Sequence, residues 1–164
     1  MTHSPVSFDQ LVERHRSEIL AYLMRLLGDT HDAEDACQDT LLAAYRAFER
    51  LAPDSNARAW LYKIATNTAF NALKRRKRKA THIMDIDLDR LSADSAPALE
   101  QREQLRAIAH AVEALPPKQR AALMLRQFQG LRYAEIAASL GCSEASARAN
   151  VYQAIKKLRE VLAD

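Results

Sequence analysis

Glycine is scarce in this chain, 3 residues in 164, where a typical domain carries roughly 7%. That argues against collagen-like, glycine-loop-rich and turn-dense all-β folds. Cysteine is almost absent: Cys37 and Cys142 lie far apart in sequence, so no disulfide framework is indicated and a reducing cytoplasm fits. Long hydrophobic runs are missing. The longest uncharged run, Ile64–Leu73, spans ten residues and contains two Asn and two Thr, whereas a membrane span needs about 20 apolar residues. Membrane insertion is not expected. The opening Met1-Thr2-His3-Ser4-Pro5 lacks the basic stretch and apolar core of a signal peptide. What remains is an ordinary globular mixture, 48% hydrophobic and 27% charged, dominated by Ala, Leu, Arg, Lys, Glu and Gln. These are strong helix formers, so the expected fold class is all-α.

The net charge of +3 says little, but its distribution is blocky. Residues 1–73 are net acidic, Lys74 to Lys79 is a run of six cations, residues 80–100 are strongly acidic, and residues 101–164 are net basic. One or two cations at a helix end would merely complement the macrodipole. Six in a row repel one another and point to an anionic partner such as nucleic acid.

Apolar residues at helical spacing predict an amphipathic helix over Ser7–Leu27, carried by Phe8, Leu11, Val12, His15, Ile19, Leu23, Leu26 and Leu27 and ended by Gly28. Thr30 reads as the N-cap of a second helix whose stripe is Ala33, Cys37, Leu41, Ala44, Phe48 and Leu51. Pro53-Asp54-Ser55 reads as a turn. Trp60, Leu61, Ile64, Ala65, Thr68, Ala69, Ala72 and Leu73 predict a third helix from Asn56 to about Lys79. Periodicity then fades over residues 80–98, a linker by this reading, because a structureless stretch so long is unusual inside one domain. Helical pattern resumes at Leu99 and runs through Leu105, Ile108, Ala109, Val112 and Leu115. Pro116-Pro117 opens the next helix, carried by Ala121, Leu125 and Phe128. The expectation is two small helical domains, residues 1–79 and 99–164, joined by a flexible acidic linker.

The segment Tyr133-Ala-Glu-Ile-Ala-Ala-Ser-Leu140-Gly141-Cys-Ser143, followed by a helix, has the form of a helix-turn-helix. Ala137 is small enough for a close crossing, Gly141 suits a left-handed turn, and Ser143 is a good N-cap. Ile136, Leu140, Ala147 and Val151 would pack at the crossing. Glu144, Arg148 and Tyr152 would point outward, where such a helix meets a major groove, with Lys156, Lys157 and Arg159 further along to reach phosphates. The alternative is an ordinary helical hairpin. On the third helix Lys63, Asn67, Asn71, Lys74 and Arg78 line one face. Asn can address base edges, and Lys and Arg can neutralise phosphate; the alternative is a solvated face. Trp60 reads as core, with base contact the alternative. Asp32, Glu34 and Asp35 can compensate the helix dipole, but Gln38 and Asp39 lie beyond the first turn and could form a protein-binding surface. The five histidines are scattered, and no catalytic or metal-binding motif appears. No enzyme activity, metal or cofactor is expected.

Taken together, these segments resemble the extracytoplasmic-function (ECF) sigma factors of bacterial RNA polymerase, in the sigma-70 family. The carriers are Asp32-Ala-Glu-Asp-Ala-Cys-Gln-Asp39, Trp60-Leu-Tyr-Lys-Ile-Ala-Thr-Asn67, the basic block after Leu73, Leu115-Pro-Pro-Lys-Gln-Arg120, and Gly130-Leu-Arg-Tyr-Ala-Glu-Ile-Ala137 through Leu158-Arg159. The resemblance implies a region 2-like three- or four-helix bundle that meets the polymerase clamp through Asp32, Asp35, Gln38, Asp39 and Leu42. It implies capture of a flipped base of the −10 element by the Leu51–Arg58 loop and Asn67. Leu51, Asn56, Arg58, Trp60, Lys63, Asn67, Asn71, Lys74, Arg75, Arg76, Lys77 and Arg78 are then the −10 and melting candidates. A region 4-like domain would bind the flap and read the −35 element through Arg132, Ser143, Glu144, Ser146, Ala147, Arg148, Asn150, Tyr152, Gln153 and Lys156. The partners so implied are core RNA polymerase, promoter DNA and an anti-sigma factor, which could hold this cytoplasmic chain at the membrane. The linker would thread toward the RNA path, its Asp85, Asp87 and Asp89 suiting a basic channel. Departures from the family pattern at Ala57, Asn71, Ala147 and Asn150 leave the promoter sequence open. No regulatory domain is expected after Asp164. The competing readings are a free-standing helix-turn-helix regulator, for which no long heptad run supplies a dimer interface, and a pure protein-interaction module, which would not need the DNA-facing cations.

Overall fold

In the computed structural model, residues 6–78 and 98–163 are described. The first bundle contains α1 (Phe8–Leu27), α2 (Thr30–Ala47), a 3-10 turn (Phe48–Arg50) and α3 (Ala57–Arg78). The second contains α4 (Leu99–Ala114), α5 (Pro117–Gln127), α6 (Tyr133–Leu140) and α7 (Glu144–Ala163). The expected linker lies outside the described residues apart from Ala98, which caps α4. Lys79 also lies outside them.

The helix ends follow local chemistry. Ser7 caps α1 reciprocally with Gln10: the Ser7 hydroxyl accepts the Gln10 amide at 3.2 Å, and the Gln10 side chain accepts the Ser7 amide at 3.1 Å. Gly28 takes φ 71°, which costs a Cβ-free residue nothing, and its amide closes α1 on the Met24 carbonyl. The cap of α2 is Asp29 rather than Thr30. The chain leaves the left-handed Gly28 and must extend for one residue, and Asp29 does so, its carboxylate accepting the Asp32 amide at 2.8 Å. The α2 stripe does not run on to Leu51 as α-helix. It tightens into the 3-10 turn at Phe48, whose ring meets Phe8 edge-on with centroids 5.5 Å apart.

The core of the first bundle differs from the expected seam by a rotation. On α1 Tyr22 joins Leu11, Ile19, Leu23, Leu26 and Leu27 in full burial. On α3 the buried residues are Ala59, Leu61, Tyr62, Ala65, Thr66 and Ala69, while Trp60, Ile64, Ala72 and Leu73 pack at the edge of the core. The polar atoms that this rotation buries are satisfied. The Tyr22 hydroxyl and Thr66 Oγ1 lie 2.7 Å apart, and Thr66 donates to the Tyr62 carbonyl. Such pairing removes a penalty of about 1–3 kcal/mol for each buried polar group. His15, expected in the apolar stripe, is largely covered and sits 3.2 Å from Glu18. Phe128, expected to carry α5, is 58% exposed. It lies past the end of α5, with Arg25 above its ring.

The two bundles are packed against each other. One apolar cluster runs from Leu11 and Leu23 through Ala65 and Ala69 into Ala121, Leu125, Leu131 and Ile136. At the seam α3 and α6 approach closely through small residues, with Ser139 Oγ 3.4 Å from the Ala59 carbonyl. Arg120, on α5, is 8% exposed and donates to the Val112, Glu113 and Leu115 carbonyls of its own bundle and to the Leu26 carbonyl of α1. Burial pulls its basicity down, since the charged form loses water. The four carbonyls replace that water.

Candidate nucleic-acid interface

The helix-turn-helix forms as its residue pattern requires. Ile136, Leu140, Ala147 and Val151 are all buried at the crossing of α6 and α7. Gly141 takes φ 64°, closing α6 on the Ala137 carbonyl, and a side chain there would strain the turn even though the space beside it is open. The Ser143 hydroxyl accepts the Ser146 amide at 3.0 Å and starts α7. The exposed face of α7 then carries Glu144, Arg148, Tyr152, Gln153 and Lys156. Arg148 pairs with Glu144 at 3.6 Å, and its guanidinium stacks 5.0 Å from the centre of the Tyr133 ring. Tyr152 is 63% exposed. Asn150 is half-buried and donates to the Ser146 carbonyl. Ser146 is half-buried too, and Arg132 is exposed with its Nε 3.2 Å from Glu135. Ala147 was expected both at the crossing and on the DNA face. It is fully buried, so its methyl is spent on the crossing and presents nothing to a base.

On α3 the expected face is continuous: Lys63, Asn67, Asn71, Lys74 and Arg78 are all exposed, together with Arg75 and Lys77. Arg76 stands apart within the basic block. It turns inward, donates to the Leu27 carbonyl at 2.8 Å and pairs with Asp32. This contact pairs Asp32, whose side chain stays 44% exposed, while Asp35, Gln38, Asp39 and Leu42 stand exposed on the same helix. Tyr45, which sequence reasoning missed, extends that face one turn further and is 66% exposed. Its spacing of three from Leu42 was the available signal.

The loop before α3 is engaged by the second bundle. Leu51 is half-buried. Asn56 caps α3 with its oxygen, accepting the Ala59 amide at 3.1 Å, while its nitrogen donates to Glu135 on α6 at 2.9 Å. Arg58 donates from Nε to Glu18 at 2.8 Å and from Nη2 to the Gln129 carbonyl at 2.8 Å. The hydrogen bonds to Glu18 hold the guanidinium more basic than usual. Trp60 is half-buried against the core.

Gln129 organises this corner, and no spacing in the sequence singles it out. Its amide nitrogen donates to the Glu18 carbonyl at 2.9 Å and to the Tyr62 hydroxyl at 2.7 Å, and its side-chain oxygen accepts from Arg25 at 3.1 Å. Burial, the largest influence, pushes Tyr62 up to about 12, so it stays a neutral phenol. Among the described residues no group of three or more His, Cys, Asp and Glu converges as a metal site would require. None of the described helices is long and apolar enough to cross a membrane.

The geometry defines a class: an all-α protein of two bundles, one ending in a helix-turn-helix, the other carrying a long cationic and amide-bearing helix. Comparison with known proteins narrows it. The family described as Sigma-70 region 2 matches residues 11–79, and Sigma-70, region 4 matches residues 105–158. The chain is 34% identical over 161 residues to ECF RNA polymerase sigma factor SigE of Mycolicibacterium smegmatis, covering 96% of this chain and 62% of that protein. It is 32% identical over 166 residues to RNA polymerase sigma-H factor of Pseudomonas aeruginosa, covering 95% of this chain and 86% of that one. Among solved structures, the sigma factor RpoE of Bartonella quintana, crystallised with the anti-sigma factor NepR, matches with a TM-score of 0.74 at 27% identity, over 95% of this chain and 96% of that one. The chain is 32% identical over 161 residues to ECF RNA polymerase sigma-E factor of Escherichia coli, covering 90% of this chain and 82% of that protein, and it belongs to the ECF sigma factors of the sigma-70 family. It spans less than two thirds of the Mycolicibacterium relative.

Proposed function

We propose that the chain binds core RNA polymerase and directs promoter-specific initiation. The observation that carries this reading is the presence of two exposed DNA-type faces, one per bundle, beside a third face of a different chemistry. The α7 face (Glu144, Arg148, Tyr152, Gln153, Lys156) suits a major groove at the −35 element. The α3 face (Lys63, Asn67, Asn71, Lys74, Arg78) suits backbone neutralisation and base-edge contact at a melted −10 element. Flipping a base costs a few kcal/mol, and a pocket that stacks and hydrogen-bonds the extruded base returns it, so strand separation proceeds by trapping the open state without ATP. The acidic and apolar α2 face (Asp35, Gln38, Asp39, Leu42 and Tyr45) would meet the polymerase clamp. The residues named at each face are part of the proposal, as are the domain limits 1–79 and 99–164. An anti-sigma factor is a further partner, supported by the similarity to a sigma factor crystallised with one.

The test is run-off transcription: purified chain, core polymerase free of other sigma factors, and fragmented DNA of the source genome, with transcript 5′ ends mapped. Discrete starts that share two upstream elements are expected. No added transcription, together with salt-sensitive DNA binding by the chain alone, would replace this reading with a free-standing regulator.

A further inference from the structure

Three helices of the second bundle meet at the ring of Tyr133, the first residue of α6. Arg126, in the last turn of α5, brings its guanidinium carbon to 4.4 Å from the ring centre, and Arg148, one turn into α7, brings its own to 5.0 Å. Arg126 is tied down in turn, donating from Nη1 to the carbonyl of the fully buried Leu131 at 3.1 Å. The ring packs against the core cluster, so it is a fixed platform rather than a loose surface group. Arg148 has a second tether in the Glu144 carboxylate at 3.6 Å, yet its side chain stays 60% exposed. An exposed arginine ordinarily samples many rotamers and loses that freedom when a ligand fixes it. Here ring and carboxylate restrict the guanidinium in advance, in the part of α7 that faces base edges when such a helix enters a major groove.

We propose that Tyr133 is a positioning residue: Arg126 fixes its ring from the α5 side, and the ring holds the Arg148 guanidinium ready to donate to both O6 and N7 of one guanine in the −35 element. The inference rests on the proposed −35 role of α7. A guanine edge presents its two acceptors in a fixed plane inside the groove, so a guanidinium already restricted in orientation gains most there. The Glu144 tether alone is a pair between exposed side chains one turn apart, a contact that water and salt weaken. The aromatic ring is therefore the part of the arrangement that persists at working salt. Its contribution is to discrimination at a single base pair, through Arg148, without any contact of its own to that base.

The experiment combines the full-length chain with core polymerase and one mapped promoter, each −35 position changed in turn to all four bases, and reads half-saturation of transcription on every template. Arg148→Ala is expected to erase a preference for guanine at one position, which marks the contact. At that position Tyr133→Leu should cut the preference about two- to five-fold and leave the other positions unchanged, while Tyr133→Phe, which keeps the ring, should match wild type. A second measurement needs no variant: nitrogen-15 relaxation of the arginine Nε groups in the free wild type should show Arg148 more rigid than the exposed Arg75. Circular dichroism checks folding, and should Tyr133→Leu unfold, the wild-type relaxation carries the test. The positioning role alone is overturned by an Arg148 as mobile as Arg75, by a Tyr133→Leu loss spread evenly over all −35 positions, or by an equal loss in Tyr133→Phe. It is overturned too if Arg148→Ala weakens every template alike and lowers the salt slope by about one, the mark of a phosphate contact. A wild type that starts no transcription overturns the proposed function, and Arg148 then has no −35 element to read.

Discussion

The outer and inner sides of the cationic helix α3 treat the same charge in opposite ways. On the outer side Lys63, Lys74, Arg75, Lys77 and Arg78 stand in solvent. On the inner side Arg58 and Arg76 turn back, one to Glu18 and the Gln129 carbonyl, the other to Asp32 and the Leu27 carbonyl. The second bundle repeats the division, with Lys156 exposed on α7 and Arg120 buried on α5. The cations engaged at the seam and at the end of α1, namely Arg25, Arg58, Arg76 and Arg120, are all arginines. A guanidinium offers five donors in a plane and can satisfy several carbonyls at once, whereas an ammonium is a compact, strongly hydrated charge. Net charge therefore overstates the cationic surface open to solvent, because part of it is structural.

The largest break of this division is expected at Arg120. Arg120→Met removes the donors of four carbonyls, three of them in its own bundle and one on α1, and leaves part of that set without water. A loss of about 3 kcal/mol is expected, read as a lower midpoint in urea unfolding. Arg120→Lys should recover only part of it, because one ammonium cannot span the same carbonyls. An undiminished midpoint in Arg120→Met would mean that burial of the apolar cluster alone holds the seam.

A smaller effect sharpens the contrast between neighbours. Arg76→Ala should cost about 1 kcal/mol through the Leu27 carbonyl and Asp32 and leave promoter binding by the polymerase complex with nearly unchanged salt dependence. Lys77→Ala should do the reverse. Its stability should stay within about 0.5 kcal/mol of wild type, while the slope of log affinity against log salt falls by about one. Equal salt slopes for the two variants would erase the distinction drawn between them.

How much of this was legible in the sequence depends on the scale of the interaction. Helices, their caps at Gly28 and Ser143, and the helix-turn-helix crossing follow from periodicity and local chemistry, so residue spacing carries them, whereas the Ser7 and Asp29 caps came only with the structure. Tyr22 and Thr66 were not read as core, because a polar atom counts against burial until its partner is known, and their partners lie 44 residues apart. Gln129 and Arg120 were unreadable as seam residues for the same reason: the partners that tie them to the first bundle, the Glu18 carbonyl and Tyr62 hydroxyl for Gln129 and the Leu26 carbonyl for Arg120, lie 111, 67 and 94 positions away. The candidate site was legible as two exposed faces. That Asn56 and Arg58 touch the other bundle was not, since a linker reading implies independent domains.

The smallest effect concerns Glu135, which ties the seam to acidity. Burial pushes its carboxyl up, but hydrogen bonds from Asn56 and from the Arg132 amide and guanidinium outweigh this and hold it below its ordinary value. A carboxyl whose folded value is depressed contributes stability that is fully present above its unfolded value, about 4.3, and is lost as pH falls through the folded value. The neighbouring charges Arg58 and Arg132 keep their protons throughout this range. Wild type and Glu135→Gln should therefore differ in urea midpoint at neutral pH and converge as the pH drops below about 4, with Glu135→Gln showing the flatter profile. An equal gap at pH 7 and pH 3.5 would assign the difference to the amide's geometry rather than to the carboxylate's charge, and Asn56 would then be held by shape alone.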